Sequence, residues 1–122
     1  MESVKVTELM RSSQSWDGAP LPPFPAGDAE IVVMRYEFGP GEKLGWHHHD
    51  VINFGIVEQG ELTIVDINGN KKVVRAGESL IEMTGTIHHG ENNGQATVVL
   101  YMFYIVEKGM PLSVQHPEIP LL

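Results

Sequence analysis

From residue 29 onward the chain is a series of short apolar runs, cut by glycine, proline, asparagine and aspartate at intervals of about 8 to 12 residues. The runs are Ala29–Phe38 (AEIVVMRYEF), residues 51–58 (VINFGIVE), residues 61–67 (ELTIVDI), Lys71–Arg75, residues 79–83 and residues 96–106 (ATVVLYMFYIV). Gly39-Pro40-Gly41, Gln59-Gly60 and Asn68-Gly69-Asn70 stand between them. Asn68-Gly69 is the kind of pair that closes a hairpin, where both central residues must reach positive φ. No stretch holds a 3.6-residue apolar period over a helical length, and the prolines forbid most candidates. The spacing predicts an all-β domain, an antiparallel sandwich or barrel.

Ahead of these runs, residues 11–28 (RSSQSWDGAPLPPFPAGD) carry four prolines and two glycines. Proline fixes φ and lacks a donor, so this stretch is neither helix nor central strand. Trp16, Leu21 and Phe24 punctuate it. We therefore expect an extended arm that lays three apolar side chains onto the domain or onto a partner subunit. Residues 1–10 alternate weakly through Val4 and Val6 and predict a short strand. The organisation expected is a strand and arm over 1–28 and a barrel over 29–122, one domain overall for a chain of 122 residues.

Charge and composition exclude several classes. Sixteen acidic against eight basic side chains give a net charge of −8, whereas nucleic-acid binders present a basic stripe for phosphate. Lys71, Lys72 and Arg75 form the longest basic cluster and read as a solvated strand edge. Anionic membrane surfaces are disfavoured by the same sign. There is no cysteine, so no disulfide framework, thiolate metal site or cysteine nucleophile is possible. MESVKVTELM has no apolar core of a secretory signal, and no window reaches the ~18 to 20 apolar residues of a membrane span. The expectation is a cytoplasmic protein that binds neither nucleic acid nor membrane.

The chemistry-bearing feature is His47-His48-His49 followed by Asp50. Side chains alternate along a strand, so His47 and His49 share one face and His48 points the other way. Two such imidazoles reach a common ion at about 2.0–2.2 Å per bond. His88-His89 comes later, after Thr84-Gly85-Thr86. His88 would bring a third ligand from a separate strand, and three ligands leave positions open for water or substrate. The bland alternative for a histidine run is a solvated loop. His116 reads as an exposed residue, and His48 and His89 as surface or supporting residues.

Glycines frame these histidines at defined spacings. Gly41, His47, His49 and Gly60 fit G-x5-H-x-H-x3-E-x6-G, and Gly77, Gly85, His88 and Asn92 fit G-x5-P-x-G-x2-H-x3-N. In these eight positions the chain resembles the cupin superfamily. Trp16-Asp17-Gly18-Ala19-Pro20-Leu21-Pro22 is also similar to an arm that precedes the barrel in a group of small single-domain cupins. The resemblance implies a small antiparallel jelly-roll-like barrel with an extended N-terminal arm. It further implies one divalent metal ion per chain (Fe, Zn, Mn or Ni) and a homodimer. The four glycines belong at strand ends where a reversal needs positive φ or backbone passes close to backbone.

Two positions depart from the pattern. Asn53 stands where the family supplies a glutamate ligand, and Met83 where the second motif has proline. A neutral amide is a weaker partner for a divalent ion than a carboxylate. Three readings follow, ranked in order: a three-histidine site, as some cupin oxygenases use for iron; Asn53 as a neighbour or weak ligand; and Glu82 as a supplied carboxylate. For Glu82 an outward strand position is the expected one. Tyr36, Phe54, Tyr101 and Phe103 are expected to line the pocket, with Met34, Met83 and Met102 softening one wall.

The function expected is a metal-binding barrel that acts on or binds a small molecule, as an oxygenase-like or isomerase/lyase-type enzyme, with Glu82 or a metal-bound hydroxide as the general base where one is needed. The competing readings are a small-ligand sensor module on the same barrel, and a structural barrel whose histidines hold no metal.

Overall fold

The computed structural model describes residues 3–121, and among these it holds nine strands and no helix. They are β1 (Ala29–Phe38), β2 (His47–His48), β3 (Ile52–Gln59), β4 (Glu61–Asp66), β5 (Lys71–Arg75), β6 (Ser79–Ile81), β7 (His88–Glu91), β8 (Val98–Glu107) and β9 (Val114–Gln115). They form two antiparallel sheets, ordered β1-β8-β3-β6 and β5-β4-β7-β2-β9. The all-β antiparallel architecture expected from the sequence is the one observed.

The first sheet separates its two faces by parity. Rows of directly opposed residues share a face. One set of rows is Val32–Tyr104–Asn53, Met34–Met102–Gly55–Leu80 and Tyr36–Leu100–Val57. From it Val57, Leu80, Leu100, Met102 and Tyr104 meet Leu62, Ile64 and Val74 of the second sheet in a single buried cluster, while Met34 on the edge strand β1 stays 39% exposed. Each aliphatic side chain so buried contributes roughly 1.5–3 kcal/mol. The other set of rows, Ile31–Ile105–Ile52 and Val33–Phe103–Phe54–Ile81, lies on the outer face.

Turn residues do what the sequence asks of them. Gly41, Gly60, Gly77 and Gly85 have φ of 81°, 78°, 87° and 84°. The β4–β5 hairpin differs in detail from the expected one: Gly69 has positive φ but Asn68 does not. The Asp66 carboxylate closes that turn instead, accepting the backbone N–H groups of Asn68 and Asn70, each at 2.9 Å. An aspartate at the turn entry supplies the acceptors that relieve Asn68 of a left-handed backbone.

The N-terminal expectation is corrected in part. Residues 3–10 form no strand, and Val4 and Val6 are 89% and 87% exposed; residues 1 and 2 lie outside the described residues. Two valines without cross-strand partners gain nothing from being extended. The arm behind them does dock. The Trp16 backbone N–H donates to Ile81 O at 3.0 Å, and the indole packs on the core. Leu21 is half-buried, while Phe24 remains 73% exposed.

Candidate metal centre

His47 lies on β2 and His88 opens β7, and the two are direct partners across the antiparallel pair. His49 follows β2 on the same side as His47, and all three rings are buried. Their centroids stand 4.7 to 5.0 Å apart. Each ring is fixed by its Nδ1: to Gly45 O at 2.7 Å for His47, Leu112 O at 2.9 Å for His49 and Thr86 O at 2.7 Å for His88. A carbonyl only accepts, so each Nδ1 carries the proton and each Nε2 keeps a lone pair. The potential ligand atoms of the three residues lie within 4.8 Å of one another.

Burial is the leading cause that pushes the pKa of all three histidines down, His49 to about 4. Neutral imidazoles are the form that binds a metal. The same shifts link stability to pH. When the folded-state pKa lies below the unfolded value, the unfolded chain takes up protons first as pH falls. Stability present above about pH 6.5 is therefore lost through a window that reaches about 4 for His49. Glu82 works with the opposite sign, since burial raises its pKa. The metal-free protein is expected to show a falling Tm between about pH 6.5 and about pH 4. Thermal melts across that range check it; a flat profile would mean the three rings are not buried in the neutral form.

Glu82 is not the outward strand residue expected. Leu80 points into the core, and the alternation carries Glu82 inward beside it. Its Oε2 lies 3.5 Å from His88 Nε2, and its Oε1 accepts from the Trp16 indole N–H at 2.8 Å. Asn53 is wholly buried at the same cavity, with Nδ2 donating to Val51 O at 3.3 Å. Asn53 Oδ1 and His88 Nε2 are buried without a hydrogen-bond partner. Orphaned buried acceptors of this kind are costly, and together with a buried carboxylate they form a donor set suited to a divalent cation.

The lining of that cavity corrects a further expectation. Tyr36 takes part, and its hydroxyl meets that of Tyr104 at 2.6 Å. Phe54, Tyr101 and Phe103 do not take part. They alternate with Asn53, Leu100, Met102 and Tyr104 on β3 and β8, so a period of two puts them outside. Phe38, Leu44, Leu62, Ile64, Leu80, Leu100 and Met102 supply the apolar wall instead, around a cavity of about 40 Å³. That is room for a few water-sized atoms.

The remaining motif positions have structural tasks. Asn92 donates through Nδ2 to Phe38 O at 3.0 Å and Ala96 O at 2.8 Å. Met83 is buried in place of the motif proline. His48 turns away from the cavity to His116, Nδ1 to Nε2 at 2.7 Å, and His116 meets Glu118 at 2.8 Å. His116 is thus tied rather than simply exposed, and His89 is buried edge-on against Trp46 at 4.3 Å. Sequence reasoning missed Trp16 as a partner of Glu82 and Leu112 as the acceptor for His49. Counting in twos from Leu80 would have turned Glu82 inward; nothing in the sequence announced Leu112.

Comparison with known proteins agrees with the fold. The family described as Cupin domain matches residues 34–106. The Oryzines biosynthesis cluster protein J of Aspergillus oryzae (strain ATCC 42149 / RIB 40) is 31% identical over 101 residues, 80% of this chain and 53% of that protein. Among solved structures, oxalate oxidase in complex with the substrate analogue glycolate superposes with a TM-score of 0.55 and 25% identity, over 64% of this chain and 46% of that one. The DMSP lyases RdDddP and RnDddQII superpose with a TM-score of 0.58 at 15% identity, over 70% of this chain and 44% of that one, a likeness of fold. The chain spans about half the length of the curated relative it matches.

Proposed function

The chain belongs to the cupin family, and from that premise we propose that it holds one divalent metal ion on His47, His49 and His88 and acts there on a small molecule. The observation that carries this is the convergence of three Nδ1-anchored, buried imidazoles beside a buried carboxylate. Iron, zinc or nickel suits the three imidazoles, and manganese the set with the Glu82 carboxylate added. A bound ion would supply Lewis acidity to a coordinated oxygen or, as iron, redox chemistry as well.

The protein's own groups set the rest. The Glu82 carboxylate, with Oε2 beside His88 Nε2, is the group available either to join the three imidazoles on the ion or to hold a proton of the substrate. Tyr36 and Tyr104 offer paired hydroxyls that orient a polar end, and the aliphatic wall excludes water. The small cavity favours a substrate of few non-hydrogen atoms bearing oxygen, the class to which glycolate belongs in the oxalate oxidase complex. Oxygenase-like or isomerase/lyase-type turnover is the reading that Glu82 favours; a non-enzymatic ligand-binding module is the reading that the neutral Asn53 favours. Metal analysis of untagged protein, followed by turnover and oxygen uptake with a panel of small hydroxy and keto acids, tests both. Absence of metal ends the proposal, and metal without turnover leaves the binding module.

A homodimer belongs to the same proposal. The outer face of the first sheet carries Ile31 and Val33 at 64% and 55% exposure, beside Phe54 and Phe103 stacked at 5.6 Å. Phe24 stands exposed at its margin with Pro22 and Pro23. Contiguous apolar surface of this kind marks an association site, and the same patch on a second copy closes it by two-fold symmetry. We expect elution at twice the 13.5 kDa chain mass, and a shift to the single-chain volume on Val33→Asp. A wild-type monomer would refute the interface.

A further inference from the structure

We propose that Trp16 is the positioning residue for Glu82, so that the N-terminal arm is part of the metal site rather than an appendage to it. The inference rests on the metal reading above. Residues 13–21 fold back on themselves: Leu21 N–H donates to Ser13 O at 2.9 Å, Ser15 N–H to Ala19 O at 2.9 Å and Gly18 N–H to Ser15 O at 3.0 Å. Gly18 makes that reversal with φ of 89°. The closed turn presents Trp16, which then grips two consecutive residues at the end of β6. Its backbone N–H donates to Ile81 O at 3.0 Å, and its indole N–H donates to Glu82 Oε1 at 2.8 Å.

This two-point attachment decides where the carboxylate points. An indole nitrogen only donates, so it holds a carboxylate oxygen and cannot exchange roles with it. Oε1 also accepts from the Met83 N–H at 3.3 Å. With Oε1 held on the arm side, Oε2 is turned to His88 Nε2 at 3.5 Å, near the spacing of about 3 Å between neighbouring ligands that bond lengths of 2.0–2.2 Å give. Without the indole donor, a buried carboxylate would lose its main compensating hydrogen bond and swing toward solvent. The family glutamate is missing at Asn53, so the chain's buried carboxylate at this site comes from Glu82, and the arm aims it.

Cobalt(II) titration of the whole protein tests the link, because the visible spectrum reports the ligand field and is blind to general loosening. Trp16→Phe keeps the ring and removes the donor. We expect it to bind Co²⁺ about tenfold more weakly than wild type and to change the spectrum as Glu82→Gln does. The double variant should bind no more weakly than Glu82→Gln alone, since Trp16 acts through that carboxylate. Wild-type affinity and spectrum in Trp16→Phe, or losses that multiply in the double variant, would overturn the inference. Should Trp16→Phe fail to fold, the indole N–H resonances decide: Trp16 must shift upfield in Glu82→Gln while Trp46, bonded to Pro120 O at 3.2 Å, stays. An unmoved Trp16 resonance overturns the link. Wild-type protein that takes up no cobalt removes this inference together with the metal reading, whereas cobalt binding that ignores both substitutions removes this inference alone.

Discussion

His88→Ala is expected to reduce divalent metal uptake by about 100-fold or more while leaving the chain folded. The three ring centroids stand 4.7 to 5.0 Å apart, and His88 is the one ring that comes from outside the His47–His49 segment. Removing it leaves two imidazoles on a single short segment, which is a chelate that many surface histidine pairs provide. Loss of a supporting hydrogen bond alone costs 10–100-fold in affinity, so loss of a ligand falls at or beyond the upper end. The cost in stability is separate. His88 is 1% exposed and donates to Thr86 O, so the variant opens a small cavity and strips one carbonyl of its donor. Each of those effects is on the order of 1–3 kcal/mol. Metal content of untagged protein measures the first effect and a thermal melt the second. His48→Ala is the control, because His48 faces His116 on the other side of β2. Equal metal content in wild type and His88→Ala would defeat the assignment.

What made the site legible was spacing. His47 and His49 alternate with His48, and a backbone of period two can only place them together. The glycines that frame them were legible for the same kind of reason: a reversal with positive φ leaves few residue choices, and Gly41, Gly60, Gly77 and Gly85 all adopt it. The bounds of β1 and β5 could be read directly, since the apolar run and the flanking turn residues coincide there. What escaped was anything that depended on parity carried across a strand end. Glu82 sits one residue past β6, where the sequence leaves open whether the alternation continues. Phe54, Tyr101 and Phe103 went to the wrong face because aromatic rings suit a pocket and an interface equally well. The short strands β2 and β7 were legible only through the spacing of their histidines and β9 not at all, because two to four residues carry too little apolar pattern. They are held by neighbours rather than by their own propensity. The Trp16–Glu82 contact spans 66 positions, and no local rule reaches that far.

The largest effect on stability is expected from Gly55→Ala. Gly55 lies in the middle of β3, opposite Met102 of β8 on one side and Leu80 of β6 on the other. A Cβ at this position would stand 2.2 Å from the Tyr101 backbone oxygen and 2.3 Å from Met102 Sδ. The sulfur sits on a flexible side chain and can give way. The carbonyl oxygen cannot, because it belongs to a strand paired on both of its edges, with β1 and with β3. Relief therefore requires β3 to part from β8, and the register from Ile52 to Gln59 runs through that contact. Overpacking a core typically costs 1–3 kcal/mol where side chains can adjust; against fixed backbone we expect about 3 kcal/mol or more. That is a large share of the 5–15 kcal/mol that holds a domain of this size, so Tm should fall by roughly 10 °C or more. Asn53, two residues away on the same strand and in the wall of the metal cavity, would move with β3, so metal affinity should drop in whatever fraction still folds. Gly41→Ala calibrates the result. Gly41 has φ of 81° with open space where its Cβ would stand, so it bears only the left-handed backbone cost of about 1–2 kcal/mol. If Gly55→Ala melts with wild type while Gly41→Ala does not, β3 does not pass as close to β8 as this packing requires, and the inward placement of Asn53 loses its support.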